Sequence, residues 1–272
     1  LERNQKANDL LQKDYTYHVH SEEQDTDSNG ATKKTIITDA ESLTIDGVRI
    51  NRVVARNNHP LTPEEARKEN DRIDKDVAKG KEKRAKNESK GKDTDNRGDE
   101  LISASRILEL GHFSNPRRVD LNGRPTIALD FAGDPGAATH NAAERLIRGL
   151  VGTVWVDEQN RIMVRAEGHF PDDFKIAGGL VADIHKGFSF EVAFTTIGGQ
   201  VWLPQTVHAQ GSARVLLFKR ISGSFQLTTS DYRKYRTSTT IIPTDRIIGP
   251  DGQPITPPDV TEPAAPKSDH QP

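Results

Sequence analysis

Residues 188–204 read FSFEVAFTTIGGQVWLP. Phe188, Phe190, Val192 and Phe194 recur at every second position, the period at which side chains share one face of a β-strand. Ser189, Glu191 and Ala193 take the other face. Gly198-Gly199 then supplies the positive φ angles that a two-residue hairpin turn needs. Gln200 to Leu203 is the return strand, and Pro204, with no N–H to give to a ladder, is its expected end. Val215, Leu216, Leu217 and Phe218, inside a further strand over Ala213–Lys219, predict cover on both faces. Gly223 to Asp231 alternates weakly and leads to Tyr232 and Tyr235. Short-turned consecutive strands make an antiparallel centre. The aromatics on its one face either pack as core or floor an apolar cavity.

The remaining segments extend this sheet. Leu1 to Lys13 predicts a helix whose apolar face is Ala7, Leu10 and Leu11. Tyr15, Tyr17 and Val19 alternate with Thr16, His18 and His20, which is a strand, and after the turn Asp27–Gly30 a second strand runs over Lys33–Asp39. Asp46-Gly47, between Leu43, Ile45 and Val48, Ile50, is a type I′ hairpin signal. Thr62-Pro63-Glu64-Glu65 starts a helix: Thr62 caps, Pro63 suits the first turn and Glu65 completes a capping box. Glu64 to Asp99 is dominated by Lys, Arg, Asp and Glu, with Ile73 and Val77 as a narrow stripe. It predicts a charged helix to about Lys86, weakened at Gly80, then a mobile segment. A second helix, Asp99 to Leu110, ends at Gly111. Asn122-Gly123 joins two more strands, Asn141 to Leu150 is a short helix, and a hairpin pairs Gly152–Val156 with Arg161–Glu167. From Pro243 the chain holds eight of its 15 prolines among polar residues, a composition that cannot build a core.

The expected fold class is therefore α+β: a strongly curved antiparallel β-sheet, an incomplete barrel, with a few helices packed on its concave face. The expected domains are residues 1–242, carrying the charged helical insertion 62–99, and a disordered Pro-rich tail, 243–272.

Hydrophobic residues are 33% and charged residues 29% of the 272, and the deficit of apolar residues lies in the insertion and the tail. Lys+Arg 38 against Asp+Glu 40 gives a net charge of -2, no global reason to bind nucleic acid. The absence of cysteine excludes disulfides, thiol catalysis and Cys-ligated zinc. No run approaches the roughly 20 apolar residues of a membrane span. Leu1 stands in mid-helix pattern, so a removed leader and an exported protein, periplasmic or secreted, are expected.

Catalytic signatures are absent: there is no G-x-S-x-G, no H-E-x-x-H and no Gly-rich phosphate loop. His18 and His20 share a strand face, without a third ligand fixed by the sequence. Asp183 and Glu191 are not aligned as a carboxylate pair. No enzyme activity, cofactor or metal is expected, a hydrolase with an unrecognised site being the less favoured alternative. Two binding classes remain. One is a carrier or sensor holding an acyl chain in the concavity, at roughly 0.8 kcal/mol per buried methylene. The other is an interaction module for an envelope protein partner, using the charged arm or a sheet edge.

The chain resembles the LolA-like superfamily, which includes periplasmic lipoprotein carriers and regulators of the envelope stress response. The resemblance lies in the helix leading into a strand, in Gly152-Thr153-Val154-Trp155-Val156-Asp157 with Arg161–Glu167, and in Gly198-Gly199-Gln200-Val201-Trp202-Leu203-Pro204. It covers roughly Leu1 to Tyr235 less the insertion, and it does not extend to the insertion or the tail. It implies an incomplete barrel plugged by helices, with an apolar cavity for a lipid or lipoprotein acyl chain. The expected lining, assigned by strand face, is Trp155, Met163, Phe188, Phe190, Phe194 and Trp202.

Overall fold

Local turn chemistry sets the hairpins. Asp46 and Gly47 adopt φ of 49° and 77°, and Ile45 pairs with Val48 across them. Asn122 and Gly123 do the same at 55° and 80°, joining Leu121 to Arg124. The computed structural model describes residues 1–27, 29–102, 104–176, 182–215, 219–234, 247–248 and 254–255. The unit Leu1–Tyr235 contains α1 (Glu2–Gln12), β1 (Tyr15–Thr26), β2 (Thr32–Ile45), β3 (Val48–Arg56), β4 (His59–Pro60), α2 (Pro63–Glu88) and α3 (Ala104–Leu110). It continues with β5 (Gly111–Leu121), β6 (Arg124–Gly133), α4 (Ala142–Arg148), β7 (Val151–Asp157), β8 (Met163–His169) and β9 (Phe174–Ile176). The last strands are β10 (Ala182–Ile184), β11 (Ser189–Ile197), β12 (Val201–Val215) and β13 (Lys219–Lys234). A second unit, Arg236–Pro272, holds a two-stranded pair, β14 (Ile247–Ile248) with β15 (Pro254–Ile255). The rest of the expected disordered tail lies outside the described residues.

All pairings are antiparallel, in the order β4-β3-β2-β1-β13-β12-β11-β8-β7-β6-β5, with β10 and β9 joined beside β12. The first strand meets the last, so the two halves of the chain share one 13-stranded sheet, and β4 and β5 remain its unjoined ends. Six of the pairings carry a register shift. Each bulge bends its strand and adds twist, and an open sheet of this size curls. The fold is α+β, a strongly curved open sheet with helices against it. Among the described residues the apolar packing falls into four small clusters.

Several elements depart from expectation. The second and third expected strands are one, β2, because Ala40 and Ser42 continue the ladder to Val53 and Asn51. Pro204 does not end the return strand. It lies in β12 before pairing with β13 begins at Thr206, so its missing N–H costs the β13 ladder nothing. The turn before it spans Gly198 to Gln200, three residues rather than two. Of the expected strand Ala213–Lys219, residues 213–215 end β12 and Lys219 opens β13, while Leu216, Leu217 and Phe218 lie outside the described residues. The second helix begins only at Ala104.

Helix α1 is turned over. Leu10 and Leu11 are 63% and 42% exposed, whereas Asn8 and Gln12 are buried. The cause is the backbone of Trp202, which faces no strand on the side opposite β11. Its N–H donates to Asn8 Oδ1 at 2.7 Å, and its carbonyl accepts from Asn8 Nδ2 at 2.9 Å and Gln12 Nε2 at 2.8 Å. Leaving such groups buried and unpaired costs about 1–3 kcal/mol each, which outweighs covering two leucines incompletely.

Helix α2 is capped as predicted: Glu65 N–H donates to Thr62 Oγ1, and Glu65 Oε2 accepts from Thr62 N–H at 2.8 Å. Ile73 and Val77 pack on Val48 and Ile50. The polar side chains of α2 close the edge of β3. Val53 N–H donates to Glu69 Oε1 at 2.8 Å, Arg72 Nη2 donates to the Asn51 carbonyl at 2.7 Å and Arg84 Nη2 to that of Gly47 at 2.7 Å. A long exposed edge strand invites pairing with another chain, and here a helix removes it. The segment after α2, expected to be mobile, is docked. Arg49 N–H donates to the Asn96 carbonyl at 2.7 Å and Asn87 Nδ2 to that of Gly98 at 3.0 Å. A Cβ at Gly98 would stand 2.3 Å from the Gly80 carbonyl oxygen, so Gly80 is a packing contact rather than a weak point.

Candidate functional site: a groove across the sheet

Strand register aligns the middle of the sheet into lanes. Phe131, Gly152, Gly168, Phe190, Ala209 and Phe225 are successive cross-strand partners on β6, β7, β8, β11, β12 and β13. Two residues along each strand, on the same face, lies a second lane: Leu129, Val154, Ala166, Val192, Val207 and Leu227. These aliphatic side chains are half-buried and belong to none of the four clusters. The alternate positions form the opposite, polar face: Asp130, Thr153, Glu167, Glu191, His208 and Gln226 in register. The sheet is thus amphipathic across six strands.

The glycine pair shapes the first lane. A Cβ at Gly152 would stand 2.0 Å from the Glu167 carbonyl oxygen, and one at Gly168 3.0 Å from Cε1 and Cζ of Phe190. The Phe190 ring therefore leans over Gly168, and β7 approaches β8 more closely than a side chain at Gly152 permits. A cavity of about 760 Å³ spans these strands on the polar face: Asp130, Thr153, Glu167, Glu191, His208 and Gln226 all line it, the first lane borders it, and the aliphatic lane lies outside it. That volume falls in the range of about 300–1,000 Å³ common for ligand sites.

On the polar face the carboxylates are engaged. Asp130 accepts from Arg117 at 2.7 and 2.8 Å, from Asn115 at 2.9 Å and from Thr153 at 3.1 Å. These donors, Arg117 first, hold its carboxyl well below the usual carboxylate range. Arg165 bridges Glu167 at 3.3 Å and Glu191 at 3.2 Å, and its guanidinium lies 4.7 Å from the centre of the Trp155 ring. Among the described residues no group of three or more His, Asp or Glu is placed to hold a metal ion. His18 and His20 instead lie 3.5 and 2.8 Å from Asp39, a carboxylate neighbour supplied by β2 that their own spacing does not reveal.

The six residues expected to line a cavity are distributed. Phe190 lines the groove. Trp155 and Phe194 flank a cluster formed by Ile162, Val164 and Trp202. Phe188 precedes β11 and packs against Phe170, Ile184 and Ala213. Met163 is the cross-strand partner of Val156. Trp202 is held as structure: its indole N–H donates to Asn160 Oδ1 at 3.1 Å and Arg124 lies 5.2 Å over its ring. Asp183 bonds Arg214 at 3.3 Å and is not brought to Glu191. The residues that sequence reasoning missed are the two glycines and the aliphatic lane. Each strand shows its alternation, but which residue stands beside which is a property of the pairing.

No protein-family model matches this chain, and no curated protein matches it. Solved structures resemble it in chain course. A domain named for outer membrane lipoprotein sorting, from Vibrio parahaemolyticus, is 14% identical with a TM-score of 0.38, covering 87% of this chain and 91% of that one. A LolA superfamily protein from Nitrosomonas europaea is 10% identical with a TM-score of 0.32, covering 86% and 92%. A DUF1329 family protein from Desulfovibrio piger is 9% identical with a TM-score of 0.30, covering 87% and 92%. Likeness at this level says nothing of what occupies the groove.

Proposed function

We propose that this protein is a non-catalytic, exported carrier, periplasmic or secreted, that holds an acyl chain of a lipid or lipidated partner on the apolar face of its sheet. One observation carries the proposal. Two in-register lanes, twelve residues without a charged or hydrogen-bonding side chain, cross six strands, and the aliphatic lane is only half-buried. Monomeric proteins rarely leave a contiguous apolar surface of this kind unless something covers it. A flexible hydrocarbon suits a lane without polar side chains. Each methylene buried there contributes roughly 0.8 kcal/mol, so one long chain suffices for micromolar binding. Such a site is what the LolA-like resemblance of the sequence implies. Among the described residues no helix is long and apolar enough to cross a membrane.

Native mass spectrometry of the purified protein, followed by lipid extraction, tests the proposal. Co-purifying acyl species that vanish in Val192→Asp/Val207→Asp support it. A protein that is ligand-free and fails to take up a fluorescent fatty acid refutes it. A second reading, a protein-binding module, is favoured by the outward leucines of α1. The edge of β3, one candidate docking strand, is already covered by α2.

A further inference from the structure

A second cavity, of about 380 Å³, lies between β3, α2 and the segment that follows α2. Its lining includes five cations, Arg49, Arg72, Lys79, Lys83 and Arg97, against two carboxylates, Asp76 and Asp99. The carboxylates are already engaged. Asp76 pairs with Arg72 at 2.5 Å and Asp99 with Lys83 at 2.6 Å, while Arg72 also holds the buried Glu69 at 2.6 Å. Three cations are left without a carboxylate. Arg49 is buried and donates only to the carbonyls of Tyr15 and Gln12. Lys79 and Arg97 have no side-chain hydrogen bond or ion pair among the described residues.

Backbone contacts bring together the chain segments that carry these residues. Arg49 N–H is bonded to the Asn96 carbonyl, next to Arg97. Gly80, next to Lys79, is so close that a Cβ there would stand 3.2 Å from the Arg97 carbonyl oxygen. Burial holds the Arg49 guanidinium below its usual range, and the charge of Arg97 acts in the same direction. Lys79 and Arg97 are exposed and, among the described residues, lack a carboxylate partner, so an anion seated in the cleft meets their charge without displacing an ion pair. The volume admits a small group, and guanidinium and ammonium donors at several angles match the oxygens of a phosphate.

We propose that this cleft binds a small phosphate-bearing anion through Lys79 and Arg97. The site is separate from the acyl groove and stands or falls independently of it. The phosphate can be free or belong to a lipid headgroup.

Calorimetric titration of the full chain with inorganic pyrophosphate at constant ionic strength tests the site. The comparison is with Lys79→Gln/Arg97→Gln, two exposed positions whose loss leaves the fold intact by circular dichroism. The expected result is saturable binding that weakens at least about tenfold in the double variant. Sedimentation with vesicles of phosphatidylcholine, with and without phosphatidylglycerol, separates the sources. Phosphatidylglycerol-dependent binding that pyrophosphate displaces assigns a headgroup, and pyrophosphate binding without vesicle binding assigns a free phosphate. No pyrophosphate binding, or equal binding by the variant, overturns the proposal.

Discussion

Placing a methyl group at Gly152 and at Gly168 separates strand packing from groove occupancy. At Gly152 the new Cβ would meet the Glu167 carbonyl oxygen at 2.0 Å and the Gly168 Cα at 2.8 Å, both backbone atoms of β8. Backbone cannot swing aside, so β7 and β8 must part, and overpacking of this kind costs about 1–3 kcal/mol. For a domain of this size that lowers Tm by roughly 2–12 °C. At Gly168 the nearest atoms, at 3.0 Å, are the far end of the Phe190 ring. The ring can tilt, and Ala is better than Gly in a strand by roughly 0.5–1 kcal/mol, so Gly168→Ala stays within about 1 kcal/mol of the parent. Gly168→Leu fills the lane instead. If it displaces two or three methylenes of a bound chain, binding falls by about 2 kcal/mol, roughly thirtyfold. Thermal unfolding by circular dichroism reads the first effect, and fluorescent fatty-acid titration reads the second. A Gly152→Ala protein as stable as the parent would refute the close approach of β7 and β8. Unchanged acyl affinity in a folded Gly168→Leu protein would move the ligand out of the groove.

Three further outcomes follow from single contacts. Asn8→Leu improves the apolar pattern of α1 yet should destabilise by about 1–3 kcal/mol, because the Trp202 N–H loses its acceptor while the carbonyl keeps Gln12; a chemical denaturation midpoint equal to the parent's would contradict this. Asp157, 1% exposed, accepts from Arg124 Nε at 2.7 Å and Asn160 N–H at 2.6 Å, so Asp157→Asn should cost about 3–5 kcal/mol, lowering Tm by roughly 10 °C in calorimetry. Acid should act on the same group. Burial pushes the Asp157 carboxyl up, but Arg124 and the backbone N–H groups outweigh it, and Arg106 likewise holds Glu144 below its usual value. A carboxyl whose folded value is depressed contributes stability in full above its unfolded value, near pH 4, and loses it as pH falls through the lower folded one. Tm measured from pH 7 downward should therefore be flat to about pH 5 and fall below it. A Tm that rises on acidification would show that neither ion pair contributes.

What could be read from the sequence was whatever one segment decides alone. Asp46-Gly47 and Asn122-Gly123 form turns because their own backbone preferences suffice, and Thr62 with Glu65 closes a capping box within four residues. What could not be read depended on a distant partner. The leucines of α1 face outward because a stretch of β12 with no strand on one side, some 190 residues on, takes Asn8 and Gln12. Gly80 reads as a weak point of the helix, yet it is packed so closely that a Cβ there would meet Val48 and the Arg97 carbonyl oxygen. The docked segment after α2 owes its order to Arg49 on another hairpin and to Asn87 of α2, which no local composition announces.

The groove shows the same limit most clearly. Counting alternate positions from Phe188 places Phe190 and Phe194 on one face correctly, since β11 itself runs straight. Carrying the count to neighbouring strands fails at each register shift, and shifts occur between Trp155 and Val156 on β7 and between Ala193 and Phe194 beside β12. One bulge exchanges inward for outward on everything beyond it. Trp155, still in register ahead of its shift, lies beneath Arg165, and Trp202 joins Ile162 and Val164 with Phe194 beside them. The second lane is made of small and aliphatic residues alone, Leu129, Val154, Ala166, Val192, Val207 and Leu227, which a search for aromatics passes over. An apolar surface meant to receive a mobile chain needs such residues, because a lane of large rings would fill itself.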